Sequence, residues 1–231
     1  MKLKKNNIVA VIPAAGIGKR MLLNFPKQYL VINKRTIIEH SISTLLKDSR
    51  ITKIIIVLHK KDNYFCNLPI YLNKRIFVTR GGINRCRSVF LGLSYVKNAE
   101  WVLIHDAVRP CLQHKDLNKI IDLVNTSSIG GILTTKIKDT IKFIKHNKYI
   151  SHTVNRDSLF LSLTPQIFPF KLIFNCLKYI LRKGIKITDE SSALELCGYY
   201  PKIVLGSNQN IKLTFPEDLK LINYYLNSVC I

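Results

Sequence analysis

Two short segments rich in small or positively charged residues carry the residue types that bind phosphates. The first, Pro-Ala-Ala-Gly-Ile-Gly-Lys-Arg, spans residues 13–20 and directly follows an apolar run at residues 8–12. Its small residues let the backbone approach a ligand closely, and backbone N–H groups in such a concavity favour anions. It is neither a Walker A loop nor a full GxGxxG, since no Gly-Lys-Ser/Thr closes it and Met21 holds the last glycine position. A plain glycine turn therefore remains an alternative. The second segment, Pro-Lys-Gln-Tyr, brings Lys27 within reach of the same phosphates.

Two further segments could bind the rest of a nucleotide. Gly-Gly-Ile-Asn-Arg-Cys-Arg-Ser-Val at residues 81–89 could cradle a base or ribose through backbone groups, although it also fits an ordinary loop-to-helix junction. A strand that runs into His105-Asp106 puts a carboxylate at the carboxyl edge of the sheet, where it can meet hydroxyl groups or Mg²⁺. Asp106 could instead cap the following turn, and His105 is interpreted as structural. Arg109 has the planar fork that suits phosphate recognition.

The elements that must position these residues follow an alternating pattern. Apolar runs predict strands at residues 8–12, 54–58, 75–79, 101–104, 131–135 and 202–205. Helical patterns occupy residues 36–46, 85–95, 115–125, 170–182 and 189–197, and a last helix opens at Pro216. This alternation predicts an α/β protein with a mainly parallel, doubly wound (Rossmann-like) sheet and helices on both faces.

Residues 136–153 break that pattern. They alternate polar and β-branched residues around His146-Asn147-Lys148, which predicts a β-hairpin with a polar turn. The segment has little to bury, so we expect it to project from the body as an arm. The organisation predicted is one domain over residues 1–231, with the arm inserted at 136–156.

Composition limits the classes of function. The chain has 231 residues, of which 47% are hydrophobic and 22% charged, as in a globular protein with a real core. No apolar run approaches the roughly 18–20 residues that span a bilayer, and the apolar run at residues 8–12 is short for a secretory signal. Six scattered cysteines without a CxxC pair indicate free thiols and a cytoplasmic location.

The formal net charge of +22 raises the alternative of a nucleic-acid-binding protein. The lysines are spread along the chain, however, with no basic helix, RNA-recognition signature or Cys/His finger. We therefore expect neither nucleic acid nor membrane as a partner.

The segments gain meaning as a set. With Thr-Pro-Gln-x-Phe, Thr-Asp-Glu-x-Ser-Ala and Asn-Ile-Lys later in the chain, their order and spacing resemble the 2-C-methyl-D-erythritol 4-phosphate cytidylyltransferases of the non-mevalonate isoprenoid pathway. The similarity runs from Ile8 to about Leu226. It implies transfer of CMP from CTP to 2-C-methyl-D-erythritol 4-phosphate with Mg²⁺, in a homodimer whose arms interlock. A sister enzyme acting on ribitol 5-phosphate, another small polyol phosphate, has nearly the same motifs and stays open.

The resemblance also implies roles for individual residues. Those that would carry catalysis are Arg20, Lys27, Arg156 and Lys212. Those that would hold CTP are Pro13, Ala14, Ala15, Gly16, Gly18, Gly82, Arg85, Ser88, Asp106 and Ala107. Those that would place the methylerythritol phosphate are Asp106, Arg109, Thr140, Arg156, Thr188 and Lys212, with Thr140 and Arg156 serving the neighbour's site.

Several positions depart from the usual family pattern. Lys19, Val108 and Asn155 replace the arginine, alanine and aspartate that are common there. Ile83 and Gln209 occupy positions that are often acidic. Asp106 is then the one obvious protein carboxylate for a metal, and Mg²⁺ would be held mainly by phosphate oxygens.

Overall fold

The computed structural model describes residues 7–16, 18, 21, 24–146 and 148–228. Its strands are β1 (Ile8–Ala14), β2 (Val31–Ile32), β3 (Arg35–Thr36), β4 (Ile51–Leu58), β5 (Ile76–Arg80), β6 (Trp101–Ile104), β7 (Gly131–Lys136), β8 (Ile141–Lys145), β9 (Tyr149–Val154), β10 (Phe160–Pro169) and β11 (Lys202–Leu205). Its helices are α1 (Ile37–Leu46), α2 (Arg85–Ser94), α3 (His114–Ile121), α4 (Leu123–Thr126), α5 (Phe170–Arg182), α6 (Glu190–Leu196) and α7 (Asp218–Ser228).

Seven strands form the central sheet, in the order β11-β7-β10-β6-β1-β4-β5. The pairs of β1 with β4 and β6, of β4 with β5 and of β11 with β7 are parallel, and β10 runs antiparallel to both of its neighbours. The mainly parallel sheet predicted from the sequence is therefore confirmed. In such a sheet, ligands bind outside the carboxyl ends of the parallel strands.

The side chains of β1 show how both faces of the sheet are covered. Ile8, Ala10 and Ile12 lie in one core cluster with apolar residues of α1 and α3. Val9 and Val11 lie in the other, with residues of α2, α5 and α6. Alternate residues of a strand point to opposite faces, so an unbroken apolar run is what a strand covered on both sides needs.

Helix α1 begins where the sequence provides a capping box. The Thr36 hydroxyl accepts a hydrogen bond from the backbone N–H of Glu39 at 3.4 Å, and Glu39 accepts one from the Thr36 N–H at 2.8 Å. Two of the N–H groups that a helix start leaves unpaired are thereby satisfied.

Strand β10 was not predicted from the sequence. It contains Pro165 and ends at Pro169, and its register with β7 is interrupted between Ser162 and Gln166. Proline cannot donate to a strand ladder and argues against an interior strand. The interruption accommodates Pro165, so the strand lies between β6 and β7 despite the proline.

The predicted hairpin is present as β8 and β9, which pair with each other in a separate two-stranded sheet. Phe143 and Tyr149 on this ribbon are 56% and 72% exposed. A two-stranded ribbon alone is marginally stable in water, and large apolar side chains on it favour a covering partner.

Gly92 sets how closely α2 packs on the sheet. A Cβ built at this position would lie 2.6 Å from Val11 Cγ1 and 2.7 Å from Val57 Cγ2. We expect Gly92→Val to reduce the free energy of unfolding by about 1–3 kcal/mol through overpacking, as measured by urea denaturation. Ser94→Val, on the exposed side of the same helix, is the control and should change it by about 0.5 kcal/mol or less. Equal stability of the two variants would contradict the close contact.

Candidate active site

The Pro-Lys-Gln-Tyr segment contacts the end of β1, from which the first glycine loop continues. Residues Lys27–Tyr29 of this segment form one 3-10 turn. Gln28 is buried and donates from Nε2 to the carbonyl of Ala14 at 2.8 Å. Gly18 has a positive φ of 67°, and a Cβ there would lie 3.0 Å from Lys27 Cγ. The stem of Lys27 therefore runs directly beside the glycine loop. Its ammonium donates to the carbonyl of Leu213 at 2.6 Å. Arg20, predicted to be catalytic, and Lys19 lie outside the described residues.

The second glycine segment lies against the first. A Cβ on Gly81 would approach that of Ala15 to 2.5 Å, so the two loops touch with no room for a larger residue. Ser88 anchors the segment: its hydroxyl donates to the carbonyl of Asn84 at 2.9 Å and accepts from the N–H of Gly82 at 3.1 Å. The predicted loop-to-helix junction is thus present, and it borders the same space as the first loop.

Asp106, just beyond β6, forms ion pairs with three cations of the site. Its Oδ1 lies 3.2 Å from both Nε and Nη2 of Arg85. Its Oδ2 lies 2.9 Å from the Lys212 ammonium and 3.3 Å from Nε of Arg109. Burial opposes ionisation of this carboxyl, but attraction to Arg85, Lys212 and Arg109 outweighs it and holds the pKa of Asp106 well below its usual range. Asp106 is therefore ionised at neutral pH.

Three further hydrogen bonds bring Lys212 to Asp106. Arg109 donates from Nη1 to the carbonyl of Asn210 at 2.7 Å, and Asn210 donates from Nδ2 to the carbonyl of Thr164 at 2.8 Å. The N–H of Leu213 donates to the carbonyl of Val108 at 2.9 Å. The Asn-Ile-Lys segment is thereby tied to the turn after β6, although about one hundred residues separate them along the chain.

Two cavities are lined in part by residues of this cluster. The first has a volume of about 330 Å³ and the second about 240 Å³. The described residues lining the first are Pro13, Ala14, Ala15, Gly16, Gly18, Lys27, Gln28, Gly82, Ile83, Asn84, Arg85, Ser88, Asp106, Ala107, Val108 and Lys212. Those lining the second are Arg85, Asp106, Arg109, Ser162, Leu163, Thr164, Gln166, Thr188, Asp189 and Lys212. The residues common to both, Arg85, Asp106 and Lys212, form what we call the shared wall.

The structure thus gathers most of the predicted site residues and leaves two apart. Every predicted nucleotide-binding residue lines the first cavity, and Arg109 and Thr188 line the second. Thr140 and Arg156, at the base of the arm, are exposed and line neither cavity. Arg156 instead donates to the carbonyl of Lys138.

The two departures at positions that are often acidic in the family lie in different surroundings. Ile83 is 98% exposed at the rim of the first cavity, where its side chain offers no polar group to a ligand. Gln209 accepts a hydrogen bond from Gln113 and does not line either cavity. Among the described residues that line the first cavity, Asp106 is consequently the one acid.

Sequence reasoning gave no individual role to Asp189, which lines the second cavity, or to Glu190, which follows it. Asp189 caps α6 and accepts hydrogen bonds from Ser162 at 2.6 Å and Gln166 at 3.0 Å. Glu190 is fully buried and accepts from Arg85 at 2.6 Å. Burial opposes ionisation of Asp189, but the hydrogen bonds from Ser162 and Gln166 outweigh burial and lower the pKa of Asp189. Asp189 and Glu190 both lie in the Thr-Asp-Glu-x-Ser-Ala motif, which was the available signal. An acid at a helix start is, however, also what the helix dipole favours.

His105 is structural, as interpreted from the sequence. Its ring is fully buried, with Nε2 3.3 Å from the carbonyl of Arg109 and Nδ1 3.0 Å from the Thr164 hydroxyl. A neutral ring with its proton on Nε2 satisfies both contacts. Burial lowers the pKa of His105 to about 4.

Two glycine loops and several cations gathered at the carboxyl edge of a doubly wound sheet define a nucleotide-binding α/β protein. Comparison with known proteins gives the family. The model of the 2-C-methyl-D-erythritol 4-phosphate cytidylyltransferase family matches residues 8–228. The chain belongs to this family and is a nucleotidyltransferase.

Individual relatives agree with that assignment. The 2-C-methyl-D-erythritol 4-phosphate cytidylyltransferase of Buchnera aphidicola subsp. Acyrthosiphon pisum is 52% identical over 223 residues, covering 96% of this chain and 94% of the relative. The enzyme of the same name from Wigglesworthia glossinidia brevipalpis is 49% identical over 222 residues, covering 96% of both chains. The crystal structure of the 4-diphosphocytidyl-2C-methyl-D-erythritol synthase of Anaerococcus prevotii superposes with a TM-score of 0.84 at 32% identity, covering 97% of this chain and 100% of that chain.

The burial of His105 predicts a pH dependence of stability. Because its pKa falls from 6.5 to about 4 on folding, the unfolded chain takes up a proton that the folded protein refuses as pH falls through this window. We expect the wild type to lose about 2 kcal/mol more between pH 8 and pH 5 than His105→Gln does, as measured by urea denaturation. Above pH 8 the difference between the two proteins should stay constant. Parallel stability curves down to pH 5 would contradict a buried neutral ring.

Proposed function

We propose that the chain transfers CMP from CTP to 2-C-methyl-D-erythritol 4-phosphate, giving 4-diphosphocytidyl-2-C-methyl-D-erythritol and pyrophosphate. The observation that supports this most directly is the pair of cavities with a shared wall of Arg85, Asp106 and Lys212. A transferase for two anionic substrates needs two adjoining sites with positive charge at their junction. The cavities have that arrangement, and the relatives' names give the substrates.

The first cavity is the proposed CTP site. The loop at Ala14–Gly16 offers backbone groups to the triphosphate, and Lys27 beside it supplies a fixed positive charge. Gly82 and Ser88 also line this cavity, and we propose that base and ribose lie beside them. We also propose that Arg20, from the same loop, contacts the triphosphate.

The second cavity is the proposed site of the polyol phosphate. Arg109 and Thr188 line it, and Lys212 reaches its junction with the first cavity. Arg109 is already fixed by Asp106 and the carbonyl of Asn210, so it enters the reaction with its guanidinium oriented. Such prior ordering reduces what binding must supply.

The reaction proposed is an in-line displacement at the α-phosphorus of CTP. A phosphate oxygen of the polyol phosphate forms the new P–O bond, and the bond from the α-phosphorus to the bridging oxygen breaks, so that pyrophosphate leaves with the electron pair. The nucleophile has a second pKa near 6 and is largely ionised at neutral pH, so it needs no general base. The barrier lies in bringing two anions together and stabilising charge on phosphorus. We propose that Lys27 and Lys212, which both line the first cavity, supply that stabilisation.

We propose that Mg²⁺ accompanies CTP. Asp106 fits poorly as its direct ligand, because Oδ1 already accepts from Arg85 and Oδ2 from Lys212 and Arg109. The described residues also contain no group of three potential metal-ligating side chains. We therefore propose that CTP phosphate oxygens and water would hold the ion, since Mg²⁺ keeps several waters and binds substrate phosphates in such sites.

We propose that the active unit is a homodimer of single-domain chains, joined through the arm at residues 136–156. Phe143, Ile144, Tyr149 and Ile150 are all about half exposed or more, an apolar surface that a second copy would cover. Thr140 and Arg156 lie apart from both cavities of their own chain, as residues that serve a neighbour's site would.

We place this enzyme in the cytoplasm. No helix within the described ranges has the length and apolarity to cross a membrane. The five cysteines that the structure describes are free thiols, which fits a reducing compartment.

Loss of a phosphate-binding cation should reduce turnover. We expect Lys27→Ala and Arg20→Ala each to lower kcat by about 10²–10³, the scale for one transition-state donor. The assay is pyrophosphate release from CTP with 2-C-methyl-D-erythritol 4-phosphate and Mg²⁺. Lys178→Ala, an exposed lysine on α5, is the control and should leave kcat unchanged. Unchanged kcat in both site variants would refute these assignments. Faster pyrophosphate release with ribitol 5-phosphate than with 2-C-methyl-D-erythritol 4-phosphate would identify ribitol 5-phosphate as the substrate instead.

The neighbour's contribution can be tested by mixing inactive variants. Lys27→Ala and Arg156→Ala homodimers should each be inactive, and Arg156→Lys should also fail because it lacks the bidentate fork. After subunit exchange, half of the dimers are mixed and each has one intact site. About a quarter of wild-type activity should therefore return, from the symmetry of a two-fold dimer. No recovery, with exchange verified by mass spectrometry of tagged subunits, would place Arg156 in its own chain's site. An active Arg156→Ala homodimer would place it outside catalysis.

A further inference from the structure

Glu190, the first residue of α6, is fully buried, which is rare for a glutamate unless it is paired. Its Oε1 accepts from Nη1 of Arg85 at 2.6 Å. Within the part of the chain that the structure describes, its Oε2 has no hydrogen-bond partner. A buried carboxylate with one oxygen unpartnered weakens the fold, and an apolar residue of similar volume would often be as stable. Its presence here points to a role at the site.

That role follows from what Arg85 does with its other nitrogens. While Nη1 binds Glu190, Nε and Nη2 both bind Oδ1 of Asp106 at 3.2 Å. A guanidinium is planar and rigid, so fixing one of its edges orients the other. Glu190 and Asp106 lie 84 residues apart in sequence, on α6 and after β6, and Arg85 joins them across the site.

The charges around Asp106 show why Arg85 must be held. Lys212 and Arg109 bind Oδ2 of Asp106 on the far side from Arg85. If Arg85 were free to turn away, Oδ1 would lose both of its donors from Arg85. The carboxylate could then rotate about its terminal torsion, which is soft for aspartate. Rotation would move the oxygen that holds Lys212 at the junction of the cavities.

We propose that Glu190 is a positioning residue for cytidylyl transfer, because it holds Arg85 so that Asp106 keeps Lys212 in the shared wall. This inference rests on the proposed role of the shared wall. It assigns to Glu190 no contact with substrate, because the Glu190 side chain is fully buried and lines a neighbouring cavity rather than either of the two that share the wall.

The test is a double-mutant cycle between Glu190 and Asp106, which are linked through Arg85. Glu190→Gln keeps the shape and removes the charge, and we expect it to lower kcat/KM by about 10–100-fold, the scale for a buried partner that orients a site residue. In an Asp106→Asn background the same change should lower kcat/KM by about twofold or less, because the residue it acts through is already lost. Glu195→Gln, the same substitution at an exposed position of α6, should leave kcat/KM unchanged in both backgrounds.

Three outcomes would overturn the inference. Equal loss in both backgrounds would mean that Glu190 supports α6 independently of Asp106. Wild-type kcat/KM for Glu190→Gln, with Asp106→Asn impaired, would sink this inference alone. Wild-type kcat/KM for Asp106→Asn would remove the proposed role of the wall as well.

Thermal unfolding of each variant separates loss of fold from loss of position. If Glu190→Gln does not unfold cooperatively, Glu190→Asp replaces it in the same cycle, since it retains the charge but is one methylene shorter. Smaller loss in the Asp106→Asn background supports the inference, and equal loss overturns it.

Discussion

The site depends on one buried carboxylate that holds three cations together. Arg85, Arg109 and Lys212 would repel one another at this distance, and their charges converge because Asp106 accepts from all three. Taking the charges of Asp106 and Arg109 out of water costs several kcal/mol per ion. Charge-assisted hydrogen bonds offset that cost when the geometry is complete. The result is positive charge already oriented before a second anion arrives, which is the form of stabilisation that phosphoryl transfer needs.

The residues of this cluster lie at or just beyond the ends of strands and helices, not in their middles. Asp106 follows β6, Arg85 opens α2, and Lys212 follows Asn210, which is tied to the turn after β6 through Arg109. Parallel strands end at one edge of the sheet, so residues far apart in sequence meet there. The core is packed on both faces of the sheet, with α2 close against β1 and β4 at Gly92.

Much of the fold was predictable because apolar periodicity reports burial directly. The uninterrupted run at the start of β1 and the polar turn at His146 both predicted what the structure contains. Strand β10 was missed because Pro165 and Pro169 oppose strand pairing locally, and only the neighbouring strands β6 and β7 make it favourable. Local pattern cannot report a partner strand that is distant in sequence.

The site was predictable to a different degree. Glycine loops and the acid after β6 carry their chemistry in residue type and position, so the residues alone made them candidates, and the family resemblance suggested their roles. Glu190 could not be recognised in that way, since an acid at the start of a helix has an ordinary electrostatic explanation. The role proposed for it rests on its burial and its contact with Arg85, which only the structure provides.

The two cavities share Arg85, Asp106 and Lys212 as lining residues and therefore lie next to each other. A single inhibitor with an anionic group for each side could therefore occupy both at once through a short covalent connection. Such a compound would lose its freedom of translation and rotation only once, whereas two separate molecules lose it twice. For this architecture, linking two weakly bound fragments is a more economical route to high affinity than enlarging either one.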